Sequence, residues 1–340
     1  MAEKEEPDED EEPAPDAFGG EEALAKVREG KDAWNAWAEE NPGRAVDFRG
    51  VDFTFGEKEN FSFEGFTFPG DVSFCEGAFQ KARFKSVTFG GCADFQRAIF
   101  NGDAGFQNST FNGSTKFLGA TFKRHAGFGG ATFKNLANFL GVSFESSVSL
   151  ESSSFHTVPD FRRSKFSKHV TLYNTDIQFT LPTKADHADK YRRLKEIAVI
   201  ARDHDSEQKF FAYELIAKRG HEARSLKLIP NYLYGCLSDF GRSGGRPFAW
   251  LFGAWIGFGV LYNWVAVKDW SHIWDGLLFS AANLFPFLGA SRGALADART
   301  ALYGEGPLSV GVHALGIVEG ILGVLFIFLI GLALRNRFRI

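Results

Sequence analysis

Between Phe48 and Ile177 the chain repeats itself every eleven residues. Large apolar residues stand at Phe95, Phe100, Phe106, Phe111, Phe117, Phe122, Phe128, Phe133, Phe139 and Phe144, then at Leu150, Phe155, Phe161, Phe166, Leu172 and Ile177, with spacings of five and six in alternation. Two residues before most of these comes something small: Ala93, Ala98, Ala104, Ser109, Thr115, Ala120, Ala126, Ala131, Ala137. A short repeat unit cannot bury its apolar face alone and must stack on its neighbours, so this pattern restricts the segment to a solenoid. Two units make a coil of about 22 residues, and about six coils rising ~4.8 Å each make a rod of roughly 29 Å. Rings at a fixed structural period are core, not a ligand or stacking platform.

Two local expectations follow. The sixth residue is missing between Phe79, Phe84 and Phe89, which predicts a change of register there. The extra residue elsewhere is expected to bulge at the corners Gly90-Gly91, Asn101-Gly102 and Asn112-Gly113, where positive φ costs little.

The flanking sequence is of a different kind. Met1 to Gly20 is mostly Glu, Asp, Pro and Ala and is expected to be a disordered acidic tail (residues 1–20), either solvating or able to mimic nucleic acid or tether a partner. It lacks the basic and apolar start of a signal peptide, which places the N-terminal part in the cytoplasm. Glu21 to Asn41 has helical periodicity, with Leu24, Val27, Trp34 and Trp37 on one side and a stop at Asn41-Pro42-Gly43. A Trp-bearing helix before the first coil (residues 21–43) reads as a lid on the open core, or else as a partner-binding element. Cys75, Cys92 and Cys236 form no CxxC and have no His at zinc spacing, so neither a disulfide framework nor a metal site is expected. His187, His204 and His221 recur seventeen residues apart, in different elements, and read as surface residues. No nucleophile motif, phosphate loop or carboxylate pair appears; neither an enzyme nor a cofactor is expected.

The segment EGKDAWNAWAEENPGRAVDF, through Gly30, Trp34, Asn35, Trp37, Asn41 and Pro42, resembles the lead-in of pentapeptide-repeat proteins. The repeats, most clearly Ala93 to Asp103, resemble that family in a Phe-rich variety with an added residue in alternate repeats. The resemblance implies a right-handed quadrilateral β-helix over residues 44–180, one repeat per side. Some acidic members mimic DNA, but here Lys and Arg balance Asp and Glu across the repeats, so no nucleic-acid partner or mimicry is expected.

After Leu181-Pro182 the period becomes helical. Asp186 to Arg202 carries Tyr191, Leu194, Ile197, Ala198 and Ala201 on one face, and Asp205 to Arg219 carries Phe210, Phe211, Leu215 and Ile216. This hairpin (residues 186–222) resembles linkers that join such repeats to a membrane module, and either couples the parts or caps the rod. A juxtamembrane segment (223–246) follows.

Pro247 to Val267 is uncharged and apolar over 21 residues, and Gly311 to Leu334 is interrupted only by His313 and Glu319, so each is long enough to span a membrane. Lys227, Arg242 and Arg246 precede the first; Arg335, Arg337 and Arg339 follow the second. The positive-inside rule therefore puts both termini in the cytoplasm of a multi-pass protein of the bacterial inner membrane. Trp274 to Leu288 is too short to span and reads as re-entrant. Trp255, Trp264, Trp270 and Trp274 read as interface anchors, and Gly253, Gly257, Gly316, Gly320 and Gly323 as sites of close helix approach.

The stretch from Tyr234 to Ile340, ending in LFIFLIGLALRNRFRI, resembles a two-transmembrane pore-loop channel module (residues 247–340), which implies a homotetramer conducting an ion. SAANLFPFLGAS stands where a TVGYG-like filter would be, so potassium selectivity does not carry over. The pore-loop candidates are Asn283, Pro286, Phe287, Leu288 and Gly289, and the polar candidates of the inner helix are Glu319 and His313. Glu319 either lines a pore or is hydrogen-bonded inside the bundle, to Asn283 or loop backbone. The expected fold class is thus a multidomain membrane protein: β-helix, helical hairpin, and two transmembrane helices with a re-entrant segment. Its expected partners are the lipid bilayer, further copies of the chain, an ion and a cytoplasmic protein. The alternative is a membrane-anchored scaffold that conducts nothing.

Overall fold

The computed structural model describes residues 16–54, 62–179, 186–221, 228–266, 270–285 and 291–338. The chain divides into two compact units, Met1–Glu222 and Ala223–Ile340.

The first unit is a four-sided β-solenoid. Two-residue strands from successive coils form four parallel sheets, with six, six, five and six strands among the described residues. The register repeats every 22 residues, as in Thr110 with Thr132 and Phe111 with Phe133. On each side the small residue and the large one point inward around an outward residue, as strand alternation requires: Ala104 and Phe106 flank Gly105, and Ser109 and Phe111 flank Thr110, with all four inward residues buried. The rings build four columns at the coil spacing. Phe106 stacks between Phe84 and Phe128 at 4.9 and 5.1 Å and meets Phe117 of the adjacent column edge-on at 5.5 Å and 86°. Both arrangements are favoured for aromatic pairs.

The missing residue near Phe84 shortens one coil without breaking it. Thr67 pairs with Thr88 and Ala78 with Ile99, each 21 residues on, and the columns continue through Phe68–Phe89 at 5.4 Å and Phe79–Phe100 at 5.0 Å. The first coil is longer: Val46 pairs with Val72 across 26 residues, and its extra length falls on residues 55–61, outside the described ones. Each coil thus contacts only its neighbours. Deleting residues 104–125, one full coil, is expected to preserve the far-UV spectrum and a cooperative melt, because Ala126 already occupies the position of Ala104 one coil on. Deleting only 104–113 is expected to abolish both.

The corners differ from expectation. Positive φ falls not at Asn101-Gly102 or Asn112-Gly113 but two residues after every second inward residue, at Glu76, Ser86, Arg97, Asn108, Gly119, Gly130, Gly141, Ser152, Arg163 and Asn174. These lie on the five-residue sides, where the turn must close in fewer residues and takes the tight form with φ > 0; the added residue of the longer sides lets the chain bend at ordinary φ. Gly113 serves another purpose: a Cβ there would lie 2.7 Å from the Cys92 backbone nitrogen of the preceding coil.

Order extends further toward the N-terminus than a tail ending at residue 20. Phe18–Gly19 forms a strand paired with Val46–Asp47, because Phe18 stacks on Trp37 at 4.5 Å; residues 1–15 lie outside the described ones. The expected single helix is two, α1 (Gly20–Arg28) and α2 (Lys31–Glu40), broken at Gly30 with φ 95°. They close the rod. Trp34 is fully buried against Phe48, Phe66 and Phe68, and its Nε1 donates to the Thr67 carbonyl at 2.9 Å. The Asn35 amide donates to Gly65 O and its oxygen accepts from Thr67 N, which supplies a sheet edge with the bonds a next strand would have made.

The hairpin is α3 (His187–Ala201) and α4 (His204–His221). Tyr191, Leu194, Ile197, Ala198 and Phe210 are buried in the same core as the ring columns, so it caps the other end. His187 is buried rather than superficial, because α3 lays its first turn on the rod. His204 bonds locally to Glu207 at 3.2 Å; His221's side chain lies outside the described residues.

Two ionic clusters fix this cap. Arg162 and Lys190 bind Asp186 at 3.1 and 2.7 Å, and Arg162 also binds Asp160 at 2.6 Å. Buried Glu214 receives Lys195 at 2.7 Å, Lys218 at 2.8 Å and Arg192 at 3.2 Å. Burial pushes both Asp186 and Glu214 up, but the hydrogen bonds and charge of Lys190 and Arg162 at the first, and of Lys195 and Lys218 at the second, outweigh it and hold both carboxyls below their ordinary values of 3.8 and 4.5. Groups lowered by folding stabilise it above their unfolded values, and that stability is lost as pH falls through them. The cap is therefore expected to melt at decreasing temperature from about pH 5 downward. Circular dichroism against pH checks this, and Glu214→Gln is expected to flatten the slope.

The second unit holds five helices among its described residues: α5 (Ile229–Ser238), α6 (Gly245–Ala266), α7 (Ile273–Leu284), α8 (Ser291–Tyr303) and α9 (Val310–Arg337). α6 and α9 are long and apolar enough to cross a membrane, and only 22% and 28% of their most apolar windows are buried. α5 and α8 were not anticipated. In α8 the charges of Asp297 and Arg299 interrupt the hydropathy, yet Ala298 and Leu302 recur at helical spacing and are buried.

Candidate functional site

The polar centre of the second unit lies where α6, α7 and α9 meet. Small residues let α7 approach the other two closely. A Cβ on Gly259 of α6 would lie 3.0 Å from the Leu277 Cα, and one on Gly323 of α9 would lie 3.1 Å from the Leu284 Cα and carbonyl carbon. Trp255 bolts α6 to α7 through its Nε1, which donates to the Leu277 carbonyl at 2.9 Å. It is therefore a packing residue rather than an interface anchor, unlike Trp264, Trp270 and Trp274, which are exposed.

Into this contact α9 inserts Glu319, whose side chain is fully enclosed (0% exposed). Tyr262 Oη of α6 contacts Glu319 Oε2 at 2.8 Å. Ser280 Oγ of α7 contacts Glu319 Oε1 and, at 2.9 Å, the carbonyl of Trp255. Asn283, one turn beyond Ser280, sits beside Glu319 and Tyr262 and in van der Waals contact with the position of Gly316; its Nδ2 makes no direct hydrogen bond. Tyr303 of α8 adds an outer link, its hydroxyl donating to the Tyr262 carbonyl at 3.2 Å.

Of the residues singled out from sequence, the structure thus brings Asn283 and Glu319 together. His313 is exposed in the first turn of α9, its Nδ1 3.3 Å from the Ser309 carbonyl. Pro286, Phe287, Leu288 and Gly289 lie outside the described residues. Tyr262 and Ser280 went unremarked in the sequence because hydroxyl residues in apolar helices carry no periodic signal; only the cost of burying Glu319 called for such partners. Gly316, Gly320 and Gly323 face α7, whereas Gly253 and Gly257 have nothing within 4 Å. No group of three or more His, Cys, Asp or Glu residues among the described ones is placed to hold a metal ion.

One end of the unit is basic. The Asn336 amide of α9 donates to the Gly241 carbonyl just before α6, at 3.3 Å. That contact puts the exposed Arg242 and Arg246 at the same end as Arg335 and Arg337.

Among known proteins, residues 84–132 match the family described as Pentapeptide repeats (9 copies), wholly within the four-sided solenoid. No curated protein and no solved structure matches the chain.

Proposed function

We propose that this is a multi-pass inner-membrane protein whose α6–α9 unit is one subunit of a homo-oligomeric ion pathway, with the pentapeptide-repeat rod as its cytoplasmic scaffold or sensor. The observation that carries this reading is α7. A twelve-residue helix, too short to span a bilayer, is clamped between two helices of spanning length by Trp255, Gly259 and Gly323. That is the order and packing of helix, short dipping helix, helix. The uncovered faces of α6 and α9, with Phe248, Phe252, Ile317, Ile321 and Phe328 exposed, need lipid or further copies of the chain to cover them. The open Gly253 and Gly257 permit a close approach by another copy. The shared basic end of α6 and α9 puts both termini on the cytoplasmic side by the positive-inside rule.

A second reading, a membrane-anchored scaffold without conductance, is favoured by one observation: Glu319 is enclosed within a single protomer instead of facing a symmetry axis. The mass of the purified protein in detergent, corrected for bound detergent, separates the two. The pathway requires a closed oligomer, expected as a tetramer. A monomer across the accessible concentration range would overturn the pathway and leave the scaffold.

A further inference from the structure

We infer that Glu319 is a proton-binding site: its carboxyl is held in the neutral form, and its proton completes the hydrogen-bond network that ties α9 to α6 and α7. The reasoning is an inventory of protons. Ser280 Oγ has one hydrogen and two oxygen neighbours, the Trp255 carbonyl and Glu319 Oε1; the carbonyl can only accept. If Glu319 were ionised, Oε1 could only accept as well, and one of the two contacts would set two lone pairs against each other. With the proton on Oε1 every contact is satisfied. Oε1–H donates to Ser280 Oγ, Ser280 donates to the Trp255 carbonyl, and Tyr262 donates to Oε2.

The surroundings agree. A carboxylate without water needs a cation or several donors. The groups facing Glu319 are Tyr262 from α6 and Ser280 and Asn283 from α7, with Tyr303 of α8 behind Tyr262, and none is positively charged. On α9 itself His313 is exposed and bonds its own helix. Asp275 of α7 is paired with His272 at 2.9 Å, and Arg299 of α8 donates to the Gly306 carbonyl. Losing the proton therefore leaves a bare negative charge among hydroxyls and helix backbone, so alkalinisation would loosen the three-helix contact. This inference does not depend on conduction.

The test is infrared difference spectroscopy on the full-length protein in detergent, wild type minus Glu319→Gln, at neutral pH. The expected result is a protonated-carboxyl C=O band, shifted by deuterium exchange and wholly absent from the variant. Glu319→Gln keeps a neutral donor and acceptor, so its melting temperature is expected to stay flat with rising pH while that of wild type falls. Only carboxylate bands at neutral pH would overturn the inference. Should Glu319→Gln fail to fold, Tyr262→Phe serves instead. Loss of its donation to Oε2 is expected to move the same C=O band, and no change in the protonated-carboxyl region would count against it.

Discussion

Replacing Phe106 by alanine is expected to destabilise the repeat unit by about 3–5 kcal/mol. The ring is fully buried and touches six others: Phe84 and Phe128 face to face, Phe95, Phe100 and Phe117 edge-on, and Phe111 at a tilt. Removing it opens a cavity that cannot collapse, because the coil spacing is fixed above and below by backbone bonds such as Phe106 N to Gly127 O at 2.7 Å and Phe84 N to Gly105 O at 2.7 Å. Because neighbouring coils are coupled, the loss is expected to appear as one lowered cooperative transition in thermal or denaturant unfolding, not as a separate early step. Phe106→Leu, which refills most of the volume, is expected to recover more than half of it.

The other large effect lies in the second unit. A Leu side chain at Gly323 would begin with a Cβ against the Leu284 carbonyl, and a backbone group cannot rotate away. The C-terminal end of α7 would have to leave α9, carrying Asn283 with it and pulling Ser280 from Glu319. We expect Gly323→Leu to abolish the cooperative melt of this unit in detergent, followed by tryptophan fluorescence. Gly257→Leu, where nothing lies within 4 Å, is expected to shift it by no more than a degree or two. Equal effects at the two positions would mean that α7 is not seated as described.

What was legible in the sequence was whatever one repeat could say alone. Each coil buries the same two positions, so the Phe column, its small companions and the coil length were all written locally, as was the cap at Trp34. The corners were not, because whether φ turns positive depends on how many residues a side has in which to bend. Glycines placed there for passage of the neighbouring coil, such as Gly113, looked like glycines placed there for conformation. The short helix α7 and the burial of Glu319 were foreseeable from length and from the cost of a charge in apolar surroundings. The partners of Glu319 were not. Tyr262 lies 57 residues away and Ser280 39 residues away, on helices whose facing is decided by Gly259, Gly276 and Gly323, and no periodic pattern marks which hydroxyl ends opposite which acid. For the same reason Trp255 looked like its exposed neighbours until Leu277 was placed beside it.

The measurement closest to the central claim is the current carried by the purified full-length protein in a planar lipid bilayer. The pathway reading predicts discrete conductance steps from the oligomer, reduced or altered in ion preference by Asn283→Ala, whose side chain borders both α9 and the Glu319 network. A silent bilayer containing a verified, correctly folded oligomer would contradict it.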